Sequence, residues 1–422
     1  MKDLKELKKI EQYADQCMKC GFCSFFCPVY QEERTETSVA RGKNYLVKEI
    51  LKGNQEFTKE LGDIIGLCLL CKRCVAMCPA KTQIDRVVVG ARAQMVNEKG
   101  LGAIKNFAFR KVMSDRKAFG NYVKLAKKFQ WLLPKTEGNI RHLPDFMKAL
   151  GQGRNIPALA DKFLREIVKP VYKPQNGEKP KMRVGYFMGC ATDFMYPELG
   201  LKFIDFLTKR GIEVVVPEDQ SCCGAAMYFS GDFETGRQQA EKNIAAFKDV
   251  DYIVTACGTC SSTLKDYQKY LPDTEDQKKR FEEFEKKVKD SMEFIIDIMK
   301  VKPEELTVKK EFEGKTVTWH DPCHLVRYQN IKDQPRALLK GLKGLKYVEM
   351  PNADLCCGMG GSFSVYHYDI TKKIVGKKMD GIKATGADIV VTACPGCMVN
   401  LTDGVLQNKM PQKVYHLLEL VE

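Results

Sequence analysis

No apolar run in this chain of 422 residues approaches the length of a membrane span. Any work at a bilayer is therefore expected from its surface or through a partner. The opening stretch, MKDLKELKKIEQ, is charged and has no apolar h-region, which argues against a secretory leader. No G-x-G-x-x-G follows a strand, and there is no P-loop and no hydrolase triad. Nicotinamide, flavin and nucleotide fingerprints are thus absent, and a redox role would take its organic cofactor from a separate chain. The bulk composition is ordinary, 44% hydrophobic and 29% charged, and the length suits two to four domains. Cysteine is the exception, with 18 residues. Without a secretory signal, so many thiols mean metal ligands and a reducing, cytoplasmic setting.

Eight of them form two quartets of one spacing. Cys17, Cys20, Cys23 and Cys27 read C-x2-C-x2-C-x3-C, as do Cys68, Cys71, Cys74 and Cys78, and Pro28 and Pro79 follow. This is the spacing of a 4Fe-4S cubane. Three thiolates on a tight loop hold three irons, and the fourth, thrown off at the proline, ligates the other cluster. Cys17, Cys20, Cys23 and Cys78 are therefore assigned to one cubane, and Cys68, Cys71, Cys74 and Cys27 to the second. Zinc sites use distant cysteine pairs, and disulfide frameworks belong to short secreted chains, so neither explains a doubled quartet.

The formal net charge is +14. Lys and Arg alternate with Glu and Asp along helical stretches, the pattern of a solvated surface, and thiolate-ligated clusters subtract from the count, so no nucleic-acid partner is expected. One stretch is denser: Arg110, Lys111, Arg116, Lys117, Lys124, Lys127 and Lys128, ending at Trp131, Leu132, Leu133 and Pro134. It could lie on anionic lipid or dock an acidic partner. The favoured expectation is a helix that packs its Phe, Val and Leu face on the body of the protein.

The fold expected is α+β and multidomain: an N-terminal helical two-cluster ferredoxin module, then two repeated α/β cysteine-rich domains with small parallel sheets. Residues 1–100 are the ferredoxin module, with a helical insert between its quartets. Residues 101–180 are a basic helical connector, broken at Pro134, Pro144 and Pro157 and closed by the linker KPVYKPQNGEKPK. Residues 181–300 and 301–422 are the two copies of an internal repeat. The first copy carries Cys190, Cys222, Cys223, Cys257 and Cys260; the second carries Cys323, Cys356, Cys357, Cys394 and Cys397, offset by 133 to 137 residues. RVGYF, IEVVVP and YIVTA read as buried strands of the first copy, and TVTWH, KYVEM and DIVVTA as those of the second. Alternation with helices implies a parallel sheet in each copy, with cysteines gathered at the strands' carboxyl ends. EDQKKRFEEFEKKVKDSMEFIIDIMK between the copies reads as one long amphipathic connector helix.

Five thiols per copy is one more than a cubane needs. The adjacent pairs Cys222–Cys223 and Cys356–Cys357 suit a bridging thiolate, and Gly224 and Gly358 after them allow close backbone approach. His320 and His324 flank Cys323 and could tune a cluster or protonate a thiolate, or only orient the loop. Asp321 and Pro322 read as turn residues. Gly358, Gly360 and Gly361 could form an anion-binding nest. A third, non-redox alternative is a zinc-stapled scaffold, which leaves the doubled pair unexplained.

C…CCG…CxxC, written twice, resembles the cysteine-rich domains of heterodisulfide reductase, of the iron–sulfur subunits of glycolate oxidase and anaerobic glycerol-3-phosphate dehydrogenase, and of the lactate-utilisation iron–sulfur proteins. The order of modules looks like the glycolate oxidase and glycerol-3-phosphate dehydrogenase subunits, and like the fused catalytic subunit of membrane-linked heterodisulfide reductase. The resemblance implies an electron-transfer subunit of a flavin-dependent complex. FAD would sit on a partner flavoprotein dehydrogenase that oxidises a small 2-hydroxy acid of the lactate or glycolate type. Electrons would pass to a quinone through a membrane subunit, or to another carrier such as an electron-transfer flavoprotein, with the chain cytoplasmic or peripheral on the inner face of the membrane. It also implies one or two further 4Fe-4S clusters, noncubane in the reductases, in the five-cysteine sets. Glycolate oxidase subunits often lack part of the final CxxC pairs. This chain keeps all ten cysteines, which leaves a thiol–disulfide reductase as the alternative. The segment from CCGMGG to CPGCMVNL looks closest to the lactate-utilisation proteins, which usually carry the ferredoxin module on another chain.

Overall fold

The structure, a computed structural model, describes residues 4–137, 140–143, 153–269 and 271–422. The N-terminal module is helical. Its two main helices are α1 (Ala40–Leu51) and α2 (Ile84–Lys99). Ile84, Val87, Val88 and Ala91 recur at helical spacing along α2 and are buried with Leu7, Ile10, Val47 and Ile50. Gly90 lets the N-terminal turn approach closely, since a Cβ there would stand 2.9 Å from the Ile10 side chain.

In the connector, helix α3 (Arg116–Phe129) starts at Asp115, whose carboxylate accepts from the Ala118 N–H at 2.6 Å. The expectation that its apolar face packs inward is met by Phe119, edge-on to Phe194 at 4.9 Å, and corrected for the rest. The helix meets the body through Arg116, Phe119 and buried Gly120, so Tyr122, Leu125 and Phe129 point to solvent with Trp131, which is 72% exposed, and Leu132. Phe107 from the preceding helix stacks edge-on to Tyr122 at 5.6 Å and joins the same patch. Of the three prolines expected to break the connector, Pro144 lies outside the described residues.

The repeats form two sheets. The first holds β1 (Val171–Tyr172), β2 (Met182–Tyr186), β3 (Ile212–Val215), β4 (Tyr252–Thr255) and β5 (Val288–Asp290), in the order β1-β3-β2-β4-β5. All its pairs are parallel except β1 with β3. The second holds β6 (Thr316–Trp319), β7 (Lys346–Val348), β8 (Ile389–Thr392) and β9 (Lys413–His416), all parallel, in the order β9-β8-β6-β7. Without β1 the two orders coincide, β3-β2-β4-β5 against β7-β6-β8-β9, so the duplication extends to topology. Central strands are mostly apolar, as suits a sheet covered on both faces, and every residue of β8 is buried.

Two details differ from the expectation. The long connector helix stops at Lys287, because Val288–Asp290 pairs with β4 and Asp290 then caps the next turn, accepting from the Met292 N–H at 2.9 Å. Val171–Tyr172, inside the connector, is an edge strand of the first sheet. The copies meet at their cysteine ends: the Gly258 N–H donates to the Ala393 carbonyl at 3.3 Å, and His416 Nε2 lies 3.1 Å from the Ala256 carbonyl oxygen.

The ferredoxin module is pressed on this pair. Gly231 has φ +86°, and a Cβ there would lie 2.4 Å from the backbone of Arg92 and Ala93 in α2. We expect Gly231→Ala to lower unfolding free energy by about 2 kcal/mol or more, from left-handed strain plus backbone overlap. Gly53→Ala, at φ +79° with nothing within 4 Å, should show the strain alone, about 1 kcal/mol. Anaerobic denaturant unfolding of the metal-loaded chains measures both.

Candidate metal centres

The two quartets bend in the same way. In the first loop Lys19 and Gly21 are left-handed, at φ +58° and +81°; in the second, Leu70 and Lys72 repeat this at +53° and +57°. Left-handed Leu and Lys cost on the order of 1 kcal/mol each, and such strain is kept where a site needs it. The turns converge the sulfurs. Cys17, Cys20, Cys23 and Cys78 line one pocket, with Cys74 at its inner wall. Cys27, Cys68, Cys71 and Cys74 line the next. The fourth cysteine of each quartet thus lies in the other quartet's pocket. Cys27 is extended, as a residue before proline prefers, and Pro28 opens the helix Pro28–Glu33. Burial pushes the Cys27 thiol up to about 12, with the Cys71 and Cys68 sulfurs adding to the shift. Thiols this crowded cannot all ionise unless cations offset them.

Buried cations are present. Lys43, 1% exposed, bonds the Thr37 carbonyl at 3.0 Å and that of Ser38, beside Cys68 and Cys27. Arg92 donates to the carbonyls of Ile65, Gly66 and Cys68, the last at 2.8 Å, and to Phe229 at 2.7 Å. The connector and the repeats supply Arg116, Arg154, Arg327 and Lys378. Sequence reasoning missed all of these roles, since a lysine or arginine on an amphipathic helix ordinarily faces water.

In the first repeat, sulfur contacts link Cys222 with Cys223, Cys223 with Cys260, and Cys260 with Cys257, while Cys190 faces Cys223. Gly189 brings the backbone close, with a would-be Cβ 3.1 Å from Cys260 Sγ. Gly224 is left-handed at φ +82° after the pair. Asn243 Nδ2 donates to the Cys222 carbonyl at 3.1 Å and Tyr267 to that of Cys223 at 3.0 Å. Connector residues Arg116, Phe119 and Arg165 line one pocket with Cys190 and Cys222.

The second repeat is built alike. Cys323 meets Cys356, Cys356 meets Cys357, Cys357 Sγ lies 3.4 Å from Cys397 Sγ, and Cys397 meets Cys394. Asn400 donates to the Cys357 carbonyl at 2.5 Å, and Arg154 of the connector donates to Asn400 Oδ1 at 3.1 Å. Lys378, 1% exposed, bonds the carbonyls of Asn352 and Ala353 beneath the pair. His320 is fully buried beside Cys357 and Cys397, all three donor atoms lying within 4.8 Å of one another. His324 is turned away: its Nδ1 lies 2.7 Å from Ser262 Oγ and its ring stacks on Tyr328 at 4.3 Å, where the copies meet. The GMGG loop is left-handed at all three glycines, and Gly360 is held against Leu69 of the ferredoxin module, where a Cβ would lie 2.4 Å from that side chain. Close approach accounts for Gly360, while a Cβ at Gly361 would meet nothing within 4 Å.

The four sets form an unbroken series. Cys74 faces both Cys23 and the Cys27, Cys68 and Cys71 sulfurs; Cys71 contacts Cys356; Cys394 contacts Cys257. Arg327 bridges the second junction, its Nε donating to the Cys71 carbonyl at 2.6 Å and its Nη1 to the Asp354 carbonyl at 2.9 Å. Thiolate donors, sulfur-lined pockets and adjacent buried cations fit anionic iron–sulfur clusters.

Comparison with known proteins agrees with this chemistry. Residues 13–82 match the 4Fe-4S dicluster domain, and residues 184–265 and 317–402 match the cysteine-rich domain CCG. The class is therefore an iron–sulfur electron-transfer protein with a dicluster module and two cysteine-rich domains, and the dicluster domain implies two 4Fe-4S clusters. Within that class the chain belongs to the family of the glycolate oxidase iron–sulfur subunit. It is 30% identical over 419 residues to the probable glycolate oxidase iron-sulfur subunit of Bacillus subtilis (strain 168), covering 96% of this chain and 92% of that one. It is 28% identical over 427 residues to a fumarate reductase (CoM/CoB) subunit of Methanothermobacter marburgensis, covering 98% and 74%. It is 34% identical over 243 residues to lactate utilization protein A of Geobacillus kaustophilus, covering 57% and 98%.

Lys43 offers a direct test of the electrostatics. Removing a buried positive charge disfavours the more negative, reduced state. Lys43→Met should lower the midpoint potential of the cubane nearest Cys68 by tens of millivolts, the scale of one charge at an effective dielectric of about 20. Anaerobic redox titration followed by electron paramagnetic resonance reads the shift.

Proposed function

We propose that the chain relays single electrons within a flavin-dependent complex that oxidises a small 2-hydroxy acid on a partner flavoprotein. The observation that carries this reading is that only two of the cysteines are exposed, Cys20 and Cys190. They belong to opposite terminal sets of the series. Bound in these sets, iron–sulfur clusters supply reversible one-electron storage. The chain's part is to hold the sets in contact, shield the middle ones from water and offer an opening at each end.

The Cys20 end is rimmed by Met18, Phe22, Phe25 and Met77, all exposed, a surface suited to an apolar protein contact. We assign the flavoprotein to this end. The Cys190 end lies beneath α3, whose outer face carries Tyr122, Leu125 and Phe129, continued by Trp131 and Leu132. Exposed Lys117, Lys124 and Lys128 flank it. A basic helix with an apolar stripe and a terminal tryptophan suits an anionic lipid surface, which would bring the Cys190 end to a membrane carrier such as a quinone. No helix among the described residues is long and apolar enough to cross a membrane.

Two experiments test the reading. With the flavoprotein co-purified anaerobically, Cys71→Ser should lower quinone reduction by about tenfold or more, while 2-hydroxy acid still reduces the partner's flavin. Unchanged quinone-linked turnover would reject the relay. In flotation assays the chain should bind vesicles containing phosphatidylglycerol and not vesicles of phosphatidylcholine alone, and Phe129→Glu with Trp131→Glu should abolish binding. Loss of a co-purifying protein in that double variant, without vesicle binding by the parent, would assign the patch to a protein partner instead.

A second reading rests on the completeness of both five-cysteine sets and on the relative named for CoM and CoB. In it the exposed Cys190 end cleaves a disulfide by two one-electron steps. Disulfide reduction by the isolated, loaded chain with a chemical one-electron donor would favour it over the relay.

A further inference from the structure

The two cysteine sets differ in one donor. His320 and Phe187 occupy matching places, each three residues before the first cysteine of its set. Phe187 is buried and packs near Phe247, at 6.0 Å between ring centroids, as an ordinary core residue. His320 is equally buried, yet neither of its ring nitrogens has a hydrogen-bond partner. Leaving a buried polar group unpaired costs about 1–3 kcal/mol, and imidazole has two. Fully buried His416 and half-buried His324 do have partners. His416 meets the Ala256 carbonyl and the Leu418 N–H, and His324 meets Ser262.

What His320 faces is sulfur. Its ring lies within 4.8 Å of both Cys357 Sγ and Cys397 Sγ, one from the adjacent pair and one from the final CxxC. The backbone fixes it there. Its N–H donates to the Val391 carbonyl at 2.9 Å, and its carbonyl accepts from Thr392 Oγ1 at 3.3 Å, so the residue is tied to strand β8.

We propose that His320 is a direct iron ligand in the second cysteine-rich domain, so that this site is a mixed imidazole–thiolate centre while the first is held by thiolates alone. The inference rests on the second set holding a cluster. A ring nitrogen gives its lone pair to iron. Five cysteines are one more than a cubane needs, so the imidazole takes an iron position that a thiolate holds in the first domain, and a neutral donor in an anionic one's place raises the reduction potential, as in clusters with histidine in place of cysteine. The duplicated sites then stand at different potentials, and the second, lying between the ferredoxin module and the first, becomes the higher-potential stop in the series.

Nitrogen hyperfine coupling tests this on the full chain, purified anaerobically with and without 15N-histidine and poised in its paramagnetic states. A strong coupling that changes with the isotope is expected in the parent and in His324→Phe. It should vanish in His320→Phe, which copies the first domain, and the potential of the affected cluster should fall. Only weak coupling would make His320 a hydrogen-bond donor to cluster sulfur and overturn the ligation. If His320→Phe does not fold, the labelled parent still decides. Cys397→Ser separates the two premises: loss of iron and of a signal in that variant supports a loaded second site, whereas unchanged iron and signals would overturn the loading and the inference together.

Discussion

Negative charge buried among sulfur atoms is the constraint on which this structure turns. Four sets of thiol ligands stand in contact inside one chain, and thiolates in a low-dielectric interior repel one another. The fold answers with cations placed where no isolated sequence rule would put them. Lys43 and Lys378 are each 1% exposed, and the hydrogen bonds of both ammonium groups run to backbone carbonyls. An ammonium buried without an anion costs several kcal/mol; Cys68 and Cys27 stand beside Lys43, and Asp321, Asp354 and then Cys357 and Cys356 beside Lys378. Ligand loading and folding are then coupled, as in other proteins whose donors crowd only when metal is bound.

The same cations join the modules. Arg92 reaches from α2 of the ferredoxin module to the Phe229 carbonyl of the first repeat, and Arg327 reaches from the second repeat to the Cys71 carbonyl. Arg154 of the connector reaches Ser364 and Asn400 beside the second set. Each of these side chains both stabilises a neighbouring site and fixes the approach of two segments. Glycines complete the fit where only backbone can pass, at Gly231 against α2 and at Gly360 against Leu69.

The cysteine spacings made the helical ferredoxin module, the duplication and the central strands legible, because each is a local pattern repeated twice. Strands RVGYF, IEVVVP and YIVTA appear as β2, β3 and β4, and their counterparts as β6, β7 and β8. Edge strand β7 was legible, but β1, β5 and β9 were not. Val288–Asp290 carries helix-like charge on its N-terminal side and becomes a strand only by pairing with β4, while Lys413–His416 is defined by its partner β8. The role of residues 101–180 was also hidden. Arg116 and Arg165 stand over Cys190 and Cys222, and Arg154 reaches Asn400 beside the second set, non-local relations that periodicity cannot express. The apolar stripe of α3 was visible, but its direction depended on a single small residue, Gly120, that sets which side of the helix meets the body.

Contact between the sets, taken with exposure, explains why the chain needs this order of modules. A carrier in the middle of a series gains nothing from water, which would stabilise charge on it and widen access for stray oxidants. Cys71, Cys356, Cys357, Cys394 and Cys397 are buried, as are Cys223, Cys257 and Cys260 of the first repeat. Cys20 and Cys190 are the exposed cysteines, as exchange with another molecule would require under the proposed relay. Duplication alone would have produced two equivalent sites. The ferredoxin module packs on both copies, but its sulfurs meet the second set, at Cys71 and Cys356, which makes one copy internal and the other terminal. Once that asymmetry exists, substitution in the two copies is no longer equivalent, and a histidine in the internal set opposite a phenylalanine in the terminal one is the kind of divergence it permits.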